Sequence, residues 1–332
     1  MKKLLFVMAA GFFIMTGCNK TSSPNDEAVN PADEETSVSA SKRSCSSYEV
    51  LQAQLKADPG LAKRMQDIEA FTKRVEENPS AYKLVDGVIE IPVVFNVIYN
   101  TTTENISDAQ LQSQIDVLNE DFSATNADYN NTSTYNSVKS GNIGIRFVKD
   151  AVNRKKNTKK SWGTDDAMKS SSTGGINATS PTTKLNIWIV NKMISDGNTV
   201  LGYAQFPGGS SSTDGVVLGY KYTGRTGTAT SPFNKGRTAT HEVGHWMNLR
   251  HIWGDATCGS DYVNDTPLHN TANTGCPSAG HKSTCSGTPV EMTMNYMDYS
   301  DDACMYMFSA GQKTRMLAVF ASGGSRNSFA QL

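Results

Sequence analysis

The pattern of apolar and polar positions divides the chain of 332 residues into segments of different character. Residues 88–99 form an almost continuous β-branched run, which predicts a strand buried on both faces. Residues 107–122 carry an apolar stripe at helical spacing, and Ser107 with Gln110 predicts a capping box at its start. Further strand candidates lie at residues 143–148, 185–190, 202–206 and 215–220. This β-α-β-β-β order predicts an α/β (α+β) domain with a twisted mixed sheet packed on helices.

Three other segments have a weaker pattern. Apolar positions between residues 48 and 77 fit two short helices separated at Asp58-Pro59-Gly60. Residues 18–42 are rich in Ser, Thr, Asn, Pro and acidic side chains, which predicts a flexible tether. Residues 251–304 are rich in Gly, Asn, Asp, Thr and Pro without periodicity, so disulfides or bound ions are expected to fix them.

The N-terminus has the architecture of an export signal. Two lysines precede an apolar run from Leu4 to Met15, which is too short to span a bilayer. The run ends in Met15-Thr16-Gly17-Cys18, which resembles a bacterial lipobox, so residues 1–17 would be a signal peptide removed before a lipidated Cys18. A plain signal peptide with an incidental thiol is the alternative. We expect export, with a lipid anchor on the bacterial cell envelope or surface, or release after processing, and no other membrane contact.

Charge and cysteine content narrow the class further. The formal net charge of -1 gives no global attraction to nucleic acid, which is not expected as a partner. Four of the six cysteines cluster in the irregular half of an exported chain, which predicts two disulfides with three possible connectivities. A zinc ribbon is less favoured because these four contain no C-x2-C pair. Cys45 is left over.

The strongest chemical signal is the sequence HEVGHWMNLRH at residues 241–251. On a helix, His241 and His245 are one turn apart and project from the same face, so both imidazoles can reach one zinc ion. Glu242 lies beside them, where it can accept a proton from a zinc-bound water. Because His251 comes six residues after His245, the helix must break between them.

Asn248 occupies the point where this break is expected, because asparagine tolerates a left-handed backbone better than most residues. Three neutral histidines would leave the fourth position on zinc to a water of pKa about 7, which is the open, catalytic type of site. The H-E-x-x-H spacing alone arises by chance on amphipathic helices. Here all five histidines follow residue 240 and three fall in this window, which favours a metal site.

The same residues match the long motif of the metzincin metalloproteases, H-E-x-x-H-x-x-G/N-x-x-H, with asparagine at the G/N position. Within that clan the chain resembles the pappalysin family over residues 43–320. Four further segments carry the resemblance: IPVVFNVIY (91–99), ENISDAQLQSQIDVLNEDF (104–122), DYVNDTP (261–267) and MNYMDYSDDACM (294–305).

This resemblance implies a metzincin catalytic domain at residues 86–332, with an active-site helix against a twisted mixed sheet. Its N-terminal subdomain would extend to about residue 251, and residues 252–332 would form an irregular, disulfide-stapled C-terminal subdomain. Residues 43–85 would be a helical pro-segment. The implied activity is that of a zinc-dependent endopeptidase, secreted or on the cell surface and made as a latent zymogen. It would hydrolyse peptide bonds with zinc-activated water and Glu242 as general base.

Several residues receive roles only through the resemblance. Met297 resembles the methionine of the Met-turn below the metal, and Tyr299 resembles the tyrosine that stabilises the oxyanion. An ordinary core methionine and tyrosine are the alternative. The implied disulfides join Cys258 to Cys285 and Cys276 to Cys304.

A structural Ca2+ ion is also implied, because a tight loop supplies hard oxygen donors; a solvated turn is the alternative. Its implied ligands are Asp261, the carbonyls of Val263 and Thr266, and Asp265. The segment Leu201-Gly202-Tyr203-Ala204 matches the edge strand on which the family binds an extended peptide antiparallel through main-chain hydrogen bonds. Proteins or peptides are therefore the expected partners of a monomeric enzyme.

Cys45 gains a role from Arg43-Ser44-Cys45, which resembles the start of the family's pro-segment motif R-x-C-G. A Cys45 thiolate could occupy the water position on zinc and keep the precursor inactive. Ser46 stands in place of the glycine, and an unused free thiol is the alternative.

Cleavage specificity is left open. Some relatives prefer arginine on the primed side of the cut, through an acidic residue near the second disulfide. Here Ala303 precedes Cys304, with Asp301 and Asp302 nearby, so that preference is not carried over.

Two other classes of function compete with an endopeptidase. A catalytically silent binding lipoprotein could use the same fold, although an intact Glu242 argues against it. An aminopeptidase could use a downstream glutamate as third ligand, and Glu291 is the only one. His251 is the better ligand because Glu291 lies in a flexible setting.

Overall fold

The computed structural model describes residues 40–78, 87–131 and 134–331. The expected signal peptide at residues 1–17, Cys18 and the expected tether as far as residue 39 lie outside the described residues, as does the end of the expected pro-segment. The bounds of these segments therefore stay predictions. Among the residues that the structure does describe, no helix is both long enough and apolar enough to cross a membrane.

A mixed sheet forms the centre of the fold. The described strands are β1 (Ile89–Tyr99), β2 (Ile145–Lys156), β3 (Leu185–Val190), β4 (Met193–Ser195), β5 (Asn198–Val200), β6 (Gly202–Ala204) and β7 (Val216–Gly219). Five of them form one sheet in the order β2-β1-β3-β7-β6, in which β6 is the antiparallel edge strand and the others run parallel. The predicted mixed sheet is thus confirmed. The small β4-β5 hairpin was not predicted, and β2 runs past its predicted end because it pairs with the whole length of β1.

Helices lie before, between and after the strands. The α-helices are α1 (Ser47–Ala57), α2 (Leu61–Glu77), α3 (Asp108–Ser123), α4 (Arg237–Trp246) and α5 (Ala310–Ala318). Short 3-10 turns occur at Asn136–Val138, Ala167–Lys169, Ser171–Thr173, Ser211–Thr213, Tyr220–Tyr222, Asp302–Cys304 and Asn327–Gln331. The two helices predicted between residues 48 and 77 are confirmed as α1 and α2.

The predicted capping box of α3 is only half formed. The Ser107 hydroxyl accepts a hydrogen bond from the Gln110 amide, as expected of an N-cap. The Gln110 side chain does not return to Ser107; its Nε2 donates to the carbonyls of Tyr220 and Thr223, at 3.2 and 2.9 Å. A distant loop with two available carbonyls therefore competes successfully for this side chain.

The main core lies between one face of the sheet and helices α3 and α4. The apolar stripe of α3 is buried there, and so are the apolar side of α4 and the methionine-rich segment around Met297. The other face of the sheet is covered by a smaller cluster that includes Trp162, Met168 and Trp188. Burial on both faces explains why β1 reads as a continuous apolar run.

Disulfides hold the irregular stretch that follows the metal motif. Cys258 pairs with Cys285 and Cys276 with Cys304, with Cα–Cα separations of 5.7 and 5.6 Å, which is the pairing that the resemblance implied. The second bridge lies directly beside the Met297–Tyr299 segment in sequence. Stapling therefore limits the freedom of a region that has little regular structure of its own.

A buried ion pair joins the end of the chain to the sheet. Arg326 donates to both carboxylate oxygens of Asp214, at 2.5 and 2.8 Å, and its guanidinium stacks 4.0 Å from the Trp246 ring centroid. The Trp246 indole donates to the same carboxylate at 3.1 Å. Asp214 therefore connects the loop before β7, the end of α4 and the C-terminal segment.

Replacement of Asp214 by alanine is expected to lower the free energy of unfolding by about 3–5 kcal/mol, because Arg326 would remain buried without its counter-charge. Denaturant unfolding followed by tryptophan fluorescence would measure the loss. Glu90→Ala, which breaks the exposed pair with Arg146, is the control and should cost less than about 1 kcal/mol. Equal losses in the two variants would contradict a structural role for the buried pair.

Candidate active site

Three histidine side chains converge at the end of α4. His241 and His245 lie one turn apart on this buried helix, and the helix ends at Trp246. Asn248 then adopts a left-handed backbone with φ of 72°, so the chain turns back and brings His251 beneath the helix. The His245 Nε2 atom lies 3.2 Å from His241 Nε2 and 3.1 Å from His251 Nε2.

The opposite nitrogen of each imidazole has an acceptor. The Nδ1 atoms lie 2.6 Å from the Tyr296 carbonyl, 2.8 Å from the Leu249 carbonyl and 2.5 Å from the Asp255 carboxylate, for His241, His245 and His251 respectively. Donation from Nδ1 leaves each Nε2 lone pair directed at the common centre. Burial lowers the pKa of His241 and His245 well below the usual value, which favours neutral, ligating rings. This donor set fits one Zn2+ ion.

Glu242 lies beside this centre and is itself buried. Its Oε2 accepts hydrogen bonds from the Ser47 hydroxyl at 2.9 Å and from the Cys45 thiol at 3.3 Å. Burial raises the pKa of Glu242 to about 7. Strand β6 passes so close that a Cβ at Gly202 would lie 2.9 Å from Glu242 Cγ, so only glycine fits there without a shift.

Met297 and Tyr299 flank the histidines. A Cβ at Gly244, in the middle of α4, would lie 2.5 Å from Met297 Sδ, which places this methionine directly against the helix. The Tyr299 ring centroid is 5.0 Å from that of His251, and its hydroxyl donates to the Cys45 carbonyl at 3.0 Å. Met297 therefore packs against α4 and Tyr299 lies beside the histidines, while their roles as Met-turn methionine and oxyanion donor stay predictions.

Residues 43–47, which we call the blocking segment, lie along β6 and beside the three histidines. The Leu201 amide donates to the Ser44 carbonyl at 2.9 Å and the Ser46 amide donates to the Gly202 carbonyl at 3.3 Å, so the segment extends the sheet parallel to β6. The Cys45 thiol and the three histidines form one buried group whose ligand atoms lie within 4.8 Å of one another. Burial and the Glu242 carboxylate raise the pKa of this thiol, so a thiolate here needs a cation beside it.

Replacement of the motif glycine by Ser46 is compatible with this arrangement. The φ of Ser46 is -107°, which any residue adopts, so the backbone does not require glycine. The next residue was not singled out by the sequence. The Ser47 hydroxyl is fully buried, accepts a hydrogen bond from the Ala204 amide at 2.8 Å and donates to Glu242. The Ser47 hydroxyl therefore hydrogen-bonds both to the edge of β6 and to Glu242, the candidate general base.

Arg43 makes a second contact that was not foreseen. Its guanidinium donates to the Asp302 carboxylate at 2.5 Å, the Thr238 hydroxyl at 3.2 Å and the Ser300 carbonyl at 3.3 Å. The other Asp302 oxygen accepts from the amides of Lys235 and Arg237 at the start of α4. This acidic pocket is therefore present although the residue directly before Cys304 is alanine.

The expected calcium ligands are only partly assembled. The Thr266 hydroxyl donates hydrogen bonds to the Asp261 carboxylate at 2.8 Å and to the Val263 carbonyl at 3.0 Å, which brings two of the implied ligands close together. The Asp265 carboxylate turns away from them and accepts hydrogen bonds from the Ser309 hydroxyl at 2.6 Å and the Gly311 amide at 2.8 Å, where it caps α5. Any ion held by this loop would therefore bind without the Asp265 side chain.

Two other candidate residues lie away from the metal centre. The Tyr203 side chain points to the far side of β6, where its hydroxyl donates to Asp166 at 2.9 Å, so only its backbone is on the strand edge. Glu291 accepts hydrogen bonds from the Asn270 amide and the Asn273 side chain, at 2.9 and 2.7 Å. Glu291 is thus engaged elsewhere and is not part of the group formed by the three histidines.

Fold and site together define a metal-dependent hydrolase of the metzincin type. The family model described as pregnancy-associated plasma protein-A, peptidase M43, matches residues 176–321. Extracellular metalloprotease 1 of Coccidioides posadasii is 34% identical over 258 residues, covering 74% of this chain and 81% of the relative. The chain belongs to the pappalysin family and is a zinc metalloendopeptidase.

Two solved structures agree with this assignment. Mature mirolysin of Tannerella forsythia, in complex with a cleaved peptide, is 43% identical with a TM-score of 0.70, covering 74% of this chain and 97% of that one. A promirolysin mutant from the same organism is 40% identical with a TM-score of 0.77, covering 86% of this chain and 97% of that one. The larger coverage by the pro-form means that the similarity extends beyond the part of this chain that the mature form matches.

Proposed function

We propose that this zinc metalloendopeptidase is made as an exported, latent precursor in which Glu242 is the general base and the pro-segment closes the cleft. The observation that carries the proposal is the pairing of the blocking segment with β6, directly over Glu242 and the three histidines. Removal of residues before about Val88 would open the cleft to protein or peptide substrates.

His241, His245 and His251 would hold one zinc ion through their Nε2 atoms. Bound zinc would polarise the scissile carbonyl and lower the pKa of a water molecule. Glu242 would take the proton of that attacking water and return it to the leaving amine, a transfer that its position beside the histidines supports. The Tyr299 hydroxyl would donate a hydrogen bond to the developing oxyanion, a role supported by its donation to the Cys45 backbone carbonyl in the precursor.

An extended substrate would pair antiparallel with β6. The Gly202 carbonyl and the Ala204 amide, which bond to the blocking segment in the precursor, would bond to the substrate backbone instead. Gly202 would let this backbone approach Glu242 closely, as its steric limit indicates. Backbone pairing gives affinity for many sequences, so side-chain pockets would decide which peptide bond is cut.

Latency would depend on Cys45 as a zinc ligand, supported by Ser47 on Glu242 and by Arg43 in its pocket. Each of these three side chains is buried in the precursor. The thiol lies with the three histidine nitrogens in one group of ligand size, which supports a fourth ligand at that point. Three separate contacts would have to break before the enzyme becomes active.

The Arg43 pocket would give a preference for a basic side chain on the primed side of the cut. Asp302 is fully buried, so departure of Arg43 would leave a carboxylate that only two backbone amides stabilise. An arginine or lysine of the substrate would restore a charge-assisted hydrogen bond there. Arg43 would thus occupy the position of the substrate side chain after the scissile bond.

Calcium would stabilise the loop that follows the metal motif. The Thr266 hydroxyl holds the Asp261 carboxylate and the Val263 carbonyl close together, and carboxylate and carbonyl oxygens are ligands that Ca2+ accepts. Burial raises the pKa of Asp261 to about 6, so a cation there would relieve an unfavourable buried charge.

Export would proceed through the signal peptide at residues 1–17, with Cys18 as a lipid anchor and residues up to 42 as a tether. Relatives from several fungi, including those of Coccidioides posadasii and Arthroderma gypseum, are named extracellular metalloproteases, which supports export. The lipid anchor rests on the lipobox-like sequence before Cys18 alone. A monomeric enzyme at the cell surface, or released from it, is the location that we propose.

The general-base role of Glu242 can be tested on precursor cut at a site-specific protease sequence introduced between α2 and β1 and then freed of its pro-segment. The wild type is expected to make internal cuts in a peptide library, and a chelator should abolish them. Glu242→Ala should lower kcat/KM by about 10²–10⁴-fold with zinc content unchanged. Successive cuts from one end would instead indicate an aminopeptidase. Folded, zinc-loaded proteins that cut nothing would favour a binding lipoprotein.

The latency role of Cys45 can be tested in the intact precursor. Cobalt-loaded wild type should absorb in the thiolate-to-cobalt charge-transfer region, and Cys45→Ala should lose this band because only nitrogen and oxygen ligands remain. The same variant should hydrolyse a small peptide that the wild-type precursor does not. Ser37→Ala, in the expected tether, is the control and should behave as the wild type. A wild-type spectrum without the band would show that Cys45 is not a ligand.

We predict that Asp302, but not the neighbouring Asp301, determines the preference for a basic side chain after the scissile bond. Asp302→Asn should lower kcat/KM for peptides with arginine after the scissile bond by about 10–100-fold, because a charge-assisted hydrogen bond is lost. Peptides with leucine at that position should be affected much less. Asp301→Asn is the matched control and should preserve the ratio of the two rates. An unchanged ratio in Asp302→Asn would remove the pocket from the account of specificity.

A further inference from the structure

A carboxylate of the pro-segment pairs with an arginine of the catalytic domain, near a second arginine that follows the metal motif's turn. The Glu69 side chain, on α2, accepts hydrogen bonds from Arg315 Nη2 at 2.6 Å and from Asn248 Nδ2 at 3.2 Å. Arg315 is buried on α5, and its Nε donates to the Asn248 carbonyl at 2.9 Å. One side of this guanidinium is therefore fixed on the catalytic domain while the other faces the pro-segment.

The second arginine has few partners of its own. Arg250 lies one residue before His251, and its guanidinium stacks 4.5 Å from the Phe206 ring centroid. Within residues 40–78, 87–131 and 134–331 its buried Nε has no hydrogen-bond partner, and it forms no ion pair. Arg250 thus lies against an aromatic ring that α1 and α2 cover, while Arg315 pairs directly with Glu69 of α2.

Other acidic groups near these arginines do not replace Glu69. The Asp255 carboxylate is committed to His251 Nδ1 at 2.5 Å. Glu76 also interacts with Arg315, but it lies on α2 and would leave with the pro-segment. Among the described residues, loss of the pro-segment would therefore leave neither Arg250 nor Arg315 with an ion-pair partner, which is electrostatically unfavourable.

Phe206 adds an apolar floor beside these cations. Its ring is covered in the precursor by Leu51, Leu61 and Met65 of α1 and α2, and lies 5.2 Å from the His245 ring. Phe206 lies two residues beyond Ala204, the last residue of β6. A peptide that pairs antiparallel with β6 has its N-terminal residues at the C-terminal end of the strand. The residues before its scissile bond would therefore lie on the side of Phe206.

We propose that Arg250, Arg315 and Phe206 form a subsite for an acidic substrate side chain on the N-terminal side of the scissile bond. This inference rests on the proposed protease function and on departure of the pro-segment. Glu69 occupies the charged part of the subsite in the precursor, and the α1–α2 side chains cover its apolar part. Glutamate fits best, because its aliphatic stem can lie on Phe206 while its carboxylate reaches both guanidinium groups.

The test uses precursor folded with zinc and calcium, cut at the introduced site between α2 and β1, and separated from its pro-segment. Three sets of peptides share one sequence and carry Glu, Gln or Lys at one of the three positions before the scissile bond. At one position, kcat/KM for the Glu peptide should exceed that for Gln by about tenfold, and Lys should be poorer than Gln. Mass spectrometry confirms that all peptides are cut at the same bond.

Variants of Arg250 separate this subsite from a structural effect. Arg250→Gln should reduce the Glu-to-Gln ratio to near one, and Arg250→Glu should reverse the order of the Glu and Lys peptides. Reversal cannot result from general loss of stability. Arg146→Gln, at the far edge strand β2, is the control and should keep the wild-type ratio. Arg250 is the better target than Arg315, whose Nε supports the turn at Asn248.

A second measurement does not depend on turnover. In the Glu242→Ala protein, calorimetry should give a lower Kd for the Glu peptide than for the Gln peptide, and Arg250→Gln should remove the difference. Cutting of Glu, Gln and Lys peptides at equal rates, with equal Kd values, would overturn the subsite and leave the protease function intact. Failure to cut any peptide at all would overturn both.

Discussion

Burial of three imidazoles around one centre is the constraint on which the rest of the structure depends. The His245 Nε2 atom lies within 3.2 Å of the Nε2 atoms of His241 and His251. Each buried Nδ1 must therefore find an acceptor inside the protein. Those acceptors come from Tyr296, Leu249 and Asp255, which fixes the chain on both sides of α4. The left-handed turn at Asn248 and the close approach of Met297 to Gly244 follow from the same requirement.

The same constraint determines what the pro-segment has to supply. A cleft that can bind a peptide backbone and charged side chains presents unsatisfied groups when it is empty. Ser47 satisfies an amide of β6, Arg43 neutralises Asp302, and Glu69 neutralises Arg315. The pro-segment therefore complements the cleft chemically as well as sterically, with opposite charges at its two ends.

The sheet and the metal motif could be predicted from the sequence because both depend on local pattern. Each of these signals is short in sequence: the apolar run of β1 lies within one strand, and the apolar stripe of α3 and the histidine motif each cover a few helical turns. Contacts across the chain could not be predicted in this way: Arg43 and Asp302 are 259 residues apart, and Glu69 and Arg315 are 246 apart. Gln110 illustrates the limit, because local pattern predicted its place in a capping box and a distant loop took its side chain.

The direction of the blocking segment has a consequence for how the precursor can be opened. Residues 44–46 run parallel to β6, whereas a substrate of this family is expected to run antiparallel. A chain laid in reverse offers its carbonyls to the strand edge in a different register from a substrate. On the proposed function, the segment would close the cleft as a chain of reversed direction whose own peptide bonds are not aligned for attack. The precursor would then resist hydrolysis at this point, and a short peptide that binds in the same reversed direction would be a template for inhibitors that the enzyme does not cut.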